Sequence, residues 1–266
     1  MINMLITGHK GLIGKEVYDY FDNEVDEMDV YGYDRDDDVD ILYEVTYDYI
    51  IHCAANCVIR EVIENPHLAK ENIDLTTKIM DIAQMNNSQV VMFSSNRVSS
   101  RCKNPYIVSK RFNEDICKAY RECYGINYMI IRPETVWGIN DNKVRVMPTW
   151  INRIKNNKDV TVYGDKSKEL NPVYVDDFVH VFLKLFFNCM DKLDNKTYTI
   201  TGKTIKCRNI VKTIKSFYRS NSRVKFCNPE TSQPQKHCIG KNEIQVAVNL
   251  TEGLLRYDSD IQRGRK

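Results

Sequence analysis

The sequence has little excess charge, no long apolar run and few histidines. Lysine and arginine total 38 against 36 aspartate and glutamate, for a net charge of +2, so nothing indicates a nucleic-acid or membrane partner. The apolar stretches have the length of strands, and the first residues already have the pattern of a strand. We therefore expect no transmembrane span and no leader peptide, and a soluble protein of the cytoplasm.

The cysteine pattern also excludes several classes of protein. The nine cysteines are odd in number and include no C-x-x-C pair, and their spread over predicted strands and helices is typical of reduced, mostly buried thiols. The five histidines lack metal-ligand spacing, so we expect no metal. The length of 266 residues suits one large α/β domain with an appended lobe, or two modest domains.

What the sequence does contain is a glycine turn near its start, NMLITGHKGLIG at residues 3–14. The apolar run before Gly8 has the pattern of a buried strand, and a helix is predicted over 12–21. Gly8 would allow the turn, Gly11 would let backbone N–H groups approach a pyrophosphate, and Gly14 would let the helix pack closely. The pattern predicts a dinucleotide site at the helix start, although such turns also open ordinary strand-helix units.

An acidic residue, Asp34, ends the second predicted strand. A carboxylate at this position accepts hydrogen bonds from both ribose hydroxyls and repels a 2′-phosphate, which favours NAD as the cofactor. Arg35 and Lys10 keep NADP open, because either cation could pair with a 2′-phosphate. The alternative is that Asp34 only begins an acidic surface loop, since the stretch DRDDDVD follows from this residue.

Strands and helices alternate through the first half of the chain. The segment DYIIHCAAN, residues 48–56, is a continuous apolar strand that ends in small residues, against which a flat ligand could lie. A helical pattern over 66–85 and a strand over 89–93 follow. This alternation predicts an α/β fold with a Rossmann-like, doubly wound parallel sheet, whose ligand binds at the carboxyl ends of the strands.

Tyr106 and Lys110 stand four residues apart near the start of a helix predicted to run to about Tyr124. This spacing puts the two side chains on one face of the helix. An ammonium beside the phenol would favour the phenolate and lower the pKa of Tyr106, and a serine hydroxyl could orient a substrate oxygen. The three groups together predict a proton relay at a carbinol or ketone, whereas a tyrosine-lysine pair alone is usually a surface pair.

With these motifs in hand, the chain resembles the extended short-chain dehydrogenase/reductase family, the NAD-dependent epimerases, dehydratases and ketoreductases of nucleotide sugars. The resemblance covers nearly the whole chain. It rests on the segments TGHKGLIG, IIHCAA, FSSNRV, YIVSK, RPETVWG, VYGDKSKELNPVYVDDF and LTEGLLRY, in that order.

The resemblance implies roles for individual residues. Tyr106 would be the general acid/base, and Lys110 would lower its pKa and hold the nicotinamide ribose. The catalytic hydroxyl would come from Ser94 or Ser95, and we choose Ser95, because it lies three residues before Val98 as in the family pattern S-x-x-V-Y-G. The expected cofactor-binding residues are Gly8, Gly11, Leu12, Ile13, Gly14, Asp34, Arg35, Asp40, Ile41, Cys53, Ala54, Ala55, Tyr106 and Lys110. The expected substrate-binding residues are Ser95, Asn96, Thr135 and Lys168.

Several positions depart from the family pattern. Dehydratases carry Asp-Glu directly after the catalytic hydroxyl residue, whereas this chain has Asn96 and Arg97, so 4,6-dehydration is not expected. The step from Ser95 to Tyr106 is also much shorter than in the family. Thr135 replaces the usual asparagine, and Leu170 replaces the arginine that grips the nucleoside diphosphate. The candidate replacements for that arginine are Lys166, Lys168 and Arg145.

The resemblance also implies a domain division and a partner. We expect a dinucleotide-binding domain over 1–147 and a mainly substrate-binding α/β lobe over 148–266, with a strand or helix around 160–190 returning to the first domain. In the second part we expect helices over 148–155, 176–188 and 208–218, and a disordered tail SDIQRGRK. The family implies a homodimer through a four-helix contact of the helices at 68–85 and 106–124.

The expected function is NAD(P)-dependent chemistry on a nucleoside diphosphate sugar. We rank a C4 epimerase first, because Asp34 favours NAD, which an epimerase recycles in place. The alternative is a 4-keto-sugar nucleotide reductase, which would use the same residues. A dinucleotide-binding sensor without turnover is a further alternative, against which the set Ser95, Tyr106 and Lys110 argues.

Overall fold

The computed structural model describes residues 1–141, 144–230 and 232–265. The strands of its first half follow the predicted alternation with helices. The strands are β1 Ile2–Thr7, β2 Met28–Tyr33, β3 Tyr49–His52, β4 Gln89–Phe93, β5 Tyr128–Pro133, β6 Thr135–Trp137, β7 Val160–Tyr163, β8 Glu169–Leu170, β9 Pro172–Tyr174, β10 Thr197–Thr201, β11 Ile205–Lys206, β12 Val224–Cys227 and β13 Glu243–Gln245.

The helices lie between these strands, mostly as crossover connections. They are α1 Leu12–Glu24, α2 Ile41–Glu44, α3 Ile59–Glu64, α4 His67–Asn86, α5 Pro105–Tyr124, α6 Val146–Lys155, α7 Val175–Phe187, α8 Cys207–Phe217 and α9 Leu250–Gln262, with a 3-10 turn at Asn96–Ser99. The helices predicted over 148–155, 176–188 and 208–218 correspond to α6, α7 and α8, with ends within two residues.

Within the described residues, a seven-stranded sheet has the order β13-β10-β5-β4-β3-β1-β2. Each neighbouring pair in it is parallel. The strand order reverses beside β1, which is the doubly wound arrangement that the alternating pattern predicts. The predicted fold class is therefore confirmed, and the carboxyl ends of β1, β2, β3 and β4 lie side by side along one edge.

Both faces of the sheet are covered, which explains why its strands are almost continuously apolar. On one face, α1 and α7 pack through residues such as Phe21, Phe178 and Phe182. On the other face, α4 and α5 pack through residues such as Ile79 and Cys117. The two layers hold the strand ends rigidly, because each strand is fixed from above and below.

The start of α5 is fixed by strong local signals. The Asn104 side chain accepts a hydrogen bond from the Ile107 amide at 2.9 Å, and Pro105 occupies the first turn. Gly125 ends the helix in a left-handed conformation, with φ of 77°. An asparagine cap, a proline at the first turn and a terminal glycine favour a helix with these limits. Tyr106 is therefore held in the first turn of α5.

A second apolar cluster lies apart from the sheet. It joins α6, α8 and α9 to β7 and β12, with Trp150, Ile154, Ile214 and Leu254 among its buried residues. The C-terminal part of the chain also supplies α7, β10 and β13 to the large sheet and its cover. The proposed boundary at residue 147 stays a prediction, since the chain crosses between the two clusters several times.

The expectation of a disordered tail is wrong for the described residues. Helix α9 continues to Gln262, and the Arg265 guanidinium contacts the carboxylates of Glu16 at 2.5 Å, Asp176 at 3.2 Å and Asp260 at 3.4 Å. These ion pairs order the tail because they tie it to α1 and α7. Lys266, the last residue of that tail, lies outside the described residues.

The thiols differ from the expectation of mostly buried cysteines. Cys117 and Cys207 are buried, but Cys57, Cys123 and Cys227 are exposed, and all are reduced. In the part of the chain that the structure describes, no helix is both long enough and apolar enough to cross a membrane. Across the same residues, no three His, Cys, Asp or Glu side chains are grouped to hold a metal ion.

Candidate active site

The glycine turn after β1 is built by close backbone contacts. Gly8 has φ of +73°, and a Cβ at this position would lie 2.7 Å from the Ala54 amide nitrogen. A Cβ on Gly14 would lie 2.1 Å from the Gly8 carbonyl oxygen, and one on Gly11 would lie 3.2 Å from the same oxygen. The three glycines therefore let α1 begin directly against the turn and the turn approach the end of β3.

The first turn of α1 fits an anionic ligand. Gly11 is its N-cap and supplies no side-chain hydrogen bond, so the amides of Leu12, Ile13 and Gly14 have no acceptor within the helix. Unpaired amides and the helix dipole together favour a phosphate at this position. The chain thus offers the kind of cradle that a dinucleotide pyrophosphate requires, next to the end of β3.

The acidic residue after β2 is held by backbone amides. The Asp34 carboxylate accepts hydrogen bonds from the Lys10 amide at 3.0 Å and from the Arg35 amide at 2.8 Å. The two nearby cations are already engaged, since Lys10 Nζ pairs with Asp37 at 2.5 Å and Arg35 Nη2 donates to Asn56 Oδ1 at 2.8 Å. Asp34 is therefore fixed beside the glycine turn, while Lys10 and Arg35 have other partners.

Asp40 and Ile41 lie at the start of the short helix α2. Asp40 is its N-cap without a side-chain cap bond, and the Ile41 carbonyl accepts a hydrogen bond from the Tyr47 hydroxyl at 2.6 Å. Asp40 is exposed and Ile41 is half-buried. They follow the acidic loop that Asp34 begins, and Ile41 packs against the apolar cluster that also contains Leu5 of β1 and Ile50 of β3.

The end of β3 combines small half-buried residues with a neutral histidine. Cys53, Ala54 and Ala55 are half-buried and follow His52 directly. His52 bridges Thr7 Oγ1 at 2.7 Å and Thr76 Oγ1 at 3.1 Å, and burial together with the charge of Lys110 lowers the pKa of His52 to about 3. His52 is therefore neutral at physiological pH and ties β3 to β1 and α4.

Tyr106, Ser95 and Lys110 come together at the carboxyl end of β4. The Ser95 side chain hydrogen-bonds the Tyr106 phenol, and Tyr106 is only 6% exposed. Lys110 Nζ donates to the Phe93 carbonyl at 2.8 Å, and burial lowers the pKa of Lys110 to about 8. The structure thus groups the three residues of the predicted relay next to the ends of β3 and β4.

The electrostatics of the phenol differ from the prediction. We expected Lys110 to lower the pKa of Tyr106, but burial raises the pKa of Tyr106 to about 12, with a smaller contribution in the same direction from Cys57. The opposing influences are the Ser95 hydrogen bond and the charges of Arg145 and Arg97. Lys110 does not lower the pKa of Tyr106, because its ammonium is directed to the Phe93 carbonyl.

Ser94, the alternative catalytic hydroxyl, has a different environment. Its Oγ donates to Glu114 Oε1 at 2.6 Å, and Glu114 forms a buried bidentate pair with Arg132 through bonds of 2.7 and 2.6 Å. Such charge-assisted forks are strong and geometrically specific. They fix the middle of α5 against the ends of β4 and β5, and thereby the position of Tyr106.

The predicted substrate residues have mixed environments. Asn96 is buried, and its amide donates to Glu134 Oε1 at 2.6 Å and to the Cys238 carbonyl at 2.7 Å, so both of its donors are used within the chain. Thr135 is buried at the start of β6. Lys168 is half-buried and donates to the Tyr163 carbonyl at 2.5 Å.

A segment that the sequence did not predict lies over this edge of the sheet. We name it the covering segment and define it as residues 228–230 and 232–242. It accepts hydrogen bonds from Asn104 at the Ser232 carbonyl and from Asn96 at the Cys238 carbonyl. Glu230 also pairs with Arg60 at 2.6 Å. Its sequence gave no signal, because it has neither helical nor strand periodicity.

Two arginines near the phenol were also not assigned to catalysis from the sequence. Arg145 pairs with Asp141 at 2.7 Å and donates to the Val136 carbonyl at 3.2 Å, and its charge acts on Tyr106. Arg97 lies in the 3-10 turn, where its amide donates to Ser95 Oγ at 3.3 Å. In the sequence, only its place two residues after Ser95 could have indicated that Arg97 lies near the phenol.

Comparisons with known proteins agree with this architecture. A dTDP-D-glucose 4,6-dehydratase of Dictyostelium discoideum is 28% identical over 97 residues, which are 36% of this chain and 22% of that protein. A dTDP-4-dehydro-6-deoxy-D-allose reductase of a Streptomyces species is 30% identical over 86 residues, which are 31% of this chain and 26% of that protein. The chain thus matches about a quarter of the length of these curated relatives.

The structural similarity extends further than the sequence similarity. The crystal structure of a UDP-glucose 4-epimerase from Thermotoga maritima has a TM-score of 0.87 and 18% identity, and the match covers 100% of both chains. At this identity the likeness concerns the fold. The family model described as the NAD dependent epimerase/dehydratase family matches residues 4–201. This chain is therefore a member of the NAD dependent epimerase/dehydratase family.

Proposed function

We propose that the protein is an NAD-dependent 4-epimerase of nucleoside diphosphate sugars, with Tyr106 as its general acid/base. The observation that carries the proposal is the Ser95 hydrogen bond to a buried Tyr106, with Lys110 one helical turn further along α5. These groups lie at the sheet edge that also bears the glycine turn. A proton-transferring phenol beside a dinucleotide cradle suits hydride chemistry at a carbinol carbon.

The preference for NAD over NADP is supported by the surroundings of Asp34. A carboxylate at this position suits two ribose hydroxyls and repels a 2′-phosphate. Of the two cations that could neutralise a 2′-phosphate, Lys10 is paired with the Asp37 carboxylate, whereas Arg35 donates to the neutral Asn56 and keeps its charge. A 2′-phosphate would compete with Asp37 for Lys10, whereas NAD would leave that pair intact.

The proton steps follow from the environment of the phenol. NAD held at the glycine turn would supply the hydride chemistry that oxidises the sugar carbinol to a ketone and then reduces the ketone from the opposite face. Tyr106 would take the hydroxyl proton in the first step and donate it in the second, with the Ser95 hydroxyl orienting the sugar oxygen. Because burial raises its pKa to about 12, Tyr106 is protonated at neutral pH, the form that donates to a ketone in the second step. The first step requires the phenolate, which the Ser95 hydrogen bond and the charges of Arg145 and Arg97 favour. Elimination of water is not proposed, since Asn96 and Arg97 offer no carboxylic acid.

The nucleoside diphosphate requires a replacement for the family's arginine. Leu170 is apolar and buried, and cannot pair with phosphate. We propose that Lys168 takes this role, because it is half-buried, lies two residues from Leu170 and has no carboxylate in ion-pair contact within the described chain. Asn96 is a weaker candidate for direct substrate contact, since its amide group already donates twice within the chain.

A 4-keto-sugar nucleotide reductase is the second candidate. It is favoured by the 30% identity to a reductase named for a dTDP-4-dehydro sugar, in the segment of 86 matched residues. The two candidates share the proton relay and differ in how the cofactor is used. An epimerase retains its dinucleotide through the cycle, whereas a reductase exchanges it at every turnover.

The test is mass spectrometry of the protein as purified, followed by proton NMR with UDP-glucose, UDP-galactose and their dTDP counterparts. Retained NAD and appearance of the C4 epimer are the expected results, and both hydride steps should cease in Tyr106→Phe. An empty protein that binds NADPH and reduces a 4-keto sugar nucleotide would establish the reductase. Absence of any hydride transfer with these substrates, in a protein that binds the dinucleotide, would favour the sensor.

We also propose a homodimer through α4 and α5. The two helices pack on each other and leave Met85 at 72% and Tyr124 at 51% exposed near their C-terminal ends. A second copy of the chain packed on these two helices would cover both side chains. Light scattering should give about twice the monomer mass, and a monomer mass at working concentrations would exclude this contact.

A further inference from the structure

Arg97 occupies an unusual position beside the proposed relay. It lies in the 3-10 turn, and its amide donates to the hydroxyl of Ser95, which in turn hydrogen-bonds Tyr106. Its side chain is half-buried, and its charge acts on Tyr106, on Lys168 and on the thiol of Cys238. The guanidinium is therefore close enough to act electrostatically on the phenol, on Lys168 and on the covering segment.

This guanidinium is not neutralised by the chain. Arg132, Arg145 and Arg60 form ion pairs at 2.6 to 2.7 Å. Among the residues that the structure describes, Arg97 forms no ion pair and its side chain has no hydrogen-bond acceptor. Glu134, a carboxylate nearby, already accepts from Asn96 at 2.6 Å and contacts His237 at 3.2 Å.

Lys168 adds a second positive charge close to Arg97. Its pKa is lowered by burial and by the like charge of Arg97, with Glu230 and Cys207 acting in the opposite direction. Glu230 itself pairs with Arg60. Two half-buried cations that repel one another are costly unless an anion lies between or beside them. The two cations are therefore complementary to a ligand with more than one negative group.

The geometry of a hexopyranose indicates which group of the substrate each cation, Arg97 or Lys168, can bind. The diphosphate leaves the ring at C1, and C4 lies across the ring from it. The proton relay acts at C4, and Arg97 lies on the relay side, next to Ser95. The substituent nearest to C4 that can carry a charge is C6, which is attached to the neighbouring carbon C5. The charge of Arg97, a residue whose amide donates to Ser95 and whose charge acts on Tyr106, is thus suited to a group on C6 and not to the diphosphate.

We propose that the sugar of the substrate is a uronic acid, and that Arg97 binds its C6 carboxylate while Lys168 binds the diphosphate. This inference rests on the proposed function, because it places C4 at Tyr106. The planar guanidinium fork matches a carboxylate in two parallel hydrogen bonds, which a neutral C6 hydroxyl cannot provide. The expected preference for the acid over the neutral sugar is about tenfold to a hundredfold.

The test measures binding without turnover. The Tyr106→Phe protein, loaded with NAD, is titrated calorimetrically with UDP-glucuronic acid and UDP-glucose, and with the corresponding dTDP pair. The same titrations are made after adding Arg97→Gln, Arg97→Lys, Lys168→Gln or, as a matched control, Arg208→Gln. Arg208 is an exposed arginine on α8, in the other apolar cluster.

The uronic acid of at least one pair should bind at least tenfold more tightly than its neutral partner. Arg97→Gln should abolish this preference, and Arg97→Lys should restore part of it. Lys168→Gln should weaken the acid and the neutral sugar alike, and Arg208→Gln should change neither. Equal binding within each pair, a preference that survives Arg97→Gln, or no binding of any of the four ligands would overturn the proposal.

The outcomes also separate this inference from the proposed reaction. A preference for the acid that depends on Arg97, found together with an inactive wild-type protein, would retain the uronate site and reject the epimerase. Epimerisation of UDP-glucose by a protein that shows no preference for the acid would retain the epimerase and reject the uronate site.

Discussion

Ser94 and Ser95 are adjacent in sequence but belong to different hydrogen-bond networks. Ser94 donates to Glu114 Oε1 at 2.6 Å within the buried ion pair with Arg132, whereas Ser95 hydrogen-bonds Tyr106. The end of β4 thus divides two neighbouring hydroxyls between a structural network and the proposed relay.

This division predicts that Ser94→Ala mainly lowers stability and that Ser95→Ala mainly lowers kcat. Ser94→Ala should destabilise the protein by about 1.5–3 kcal/mol, because it removes a buried hydrogen bond to a charged group. Ser95→Ala should destabilise the protein less, by about 0.5–1 kcal/mol for the lost hydrogen bond to the Arg97 amide, and should lower kcat, because Ser95 also contacts the phenol. Urea denaturation and steady-state kinetics on both variants check this, and equal losses of stability would contradict the division.

Substitution of Tyr106 tests the proton relay itself. Tyr106→Phe should lower kcat by about a hundredfold to ten-thousandfold, since a positioned general acid/base typically contributes this much. Dinucleotide binding and the melting temperature should change little. Tyr124→Phe is the matched control, because Tyr124 is 51% exposed at the far end of α5 and should retain full activity. A Tyr106→Phe protein with normal kcat would remove the phenol from the mechanism.

The glycine turn gives a prediction in which cofactor binding and stability can be separated. Gly14→Ala would bring a Cβ to 2.1 Å from the Gly8 carbonyl, so we expect loss of dinucleotide affinity together with destabilisation. Gly125→Ala meets no atom within 4 Å but has φ of +77°, so it should cost about 1–2 kcal/mol without affecting the cofactor. Fluorescence titration with NADH and thermal melting distinguish the two, and unchanged NADH affinity in Gly14→Ala would count against the cradle.

His52 predicts a pH dependence of stability. Its pKa is about 3 in the folded state, against about 6.5 when unfolded. Between about pH 3 and pH 6.5, His52 is protonated in the unfolded chain but neutral in the folded protein. The contribution of the neutral His52 to the free energy of unfolding is therefore complete above about pH 6.5 and falls as the pH decreases. The slope is about 1.4 kcal/mol per pH unit.

The measurement is urea denaturation between pH 7 and pH 4. His52→Gln should be less stable at pH 7 and should lose this part of the slope, whereas His180→Gln, at an exposed position on α7, should retain it. A slope that is identical in the wild type and His52→Gln would show that another group titrates.

Much of the fold could be predicted from the sequence because its signals are local. The apolar strands, the glycine turn and the cap of α5 at Asn104 each act within a few residues, and the parallel sheet follows from their alternation. The family could also be predicted from short local motifs. The family model that matches residues 4–201 confirms that prediction, and with it membership of a family of NAD-dependent enzymes.

The predictions that failed, and the features that the sequence did not predict, depend on contacts between distant residues. The pKa of Tyr106 depends on burial and on the direction of the Lys110 side chain, neither of which spacing reveals. The covering segment meets Asn96 and Asn104 across more than a hundred residues, with Asn96 and Cys238 separated by 142. The charge-rich tail resembled a solvated end, because its partner Glu16 lies 249 residues away.

That last contact links the helix that begins at the glycine turn to the final helix of the smaller cluster. Glu16 lies in the second turn of α1, and Arg265 also reaches Asp176 at the start of α7. The guanidinium of Arg265 therefore binds carboxylates on three helices that are distant in sequence, α1, α7 and α9. Loss of the Arg265 side chain would remove all three contacts and loosen α1 close to where the dinucleotide is expected to bind.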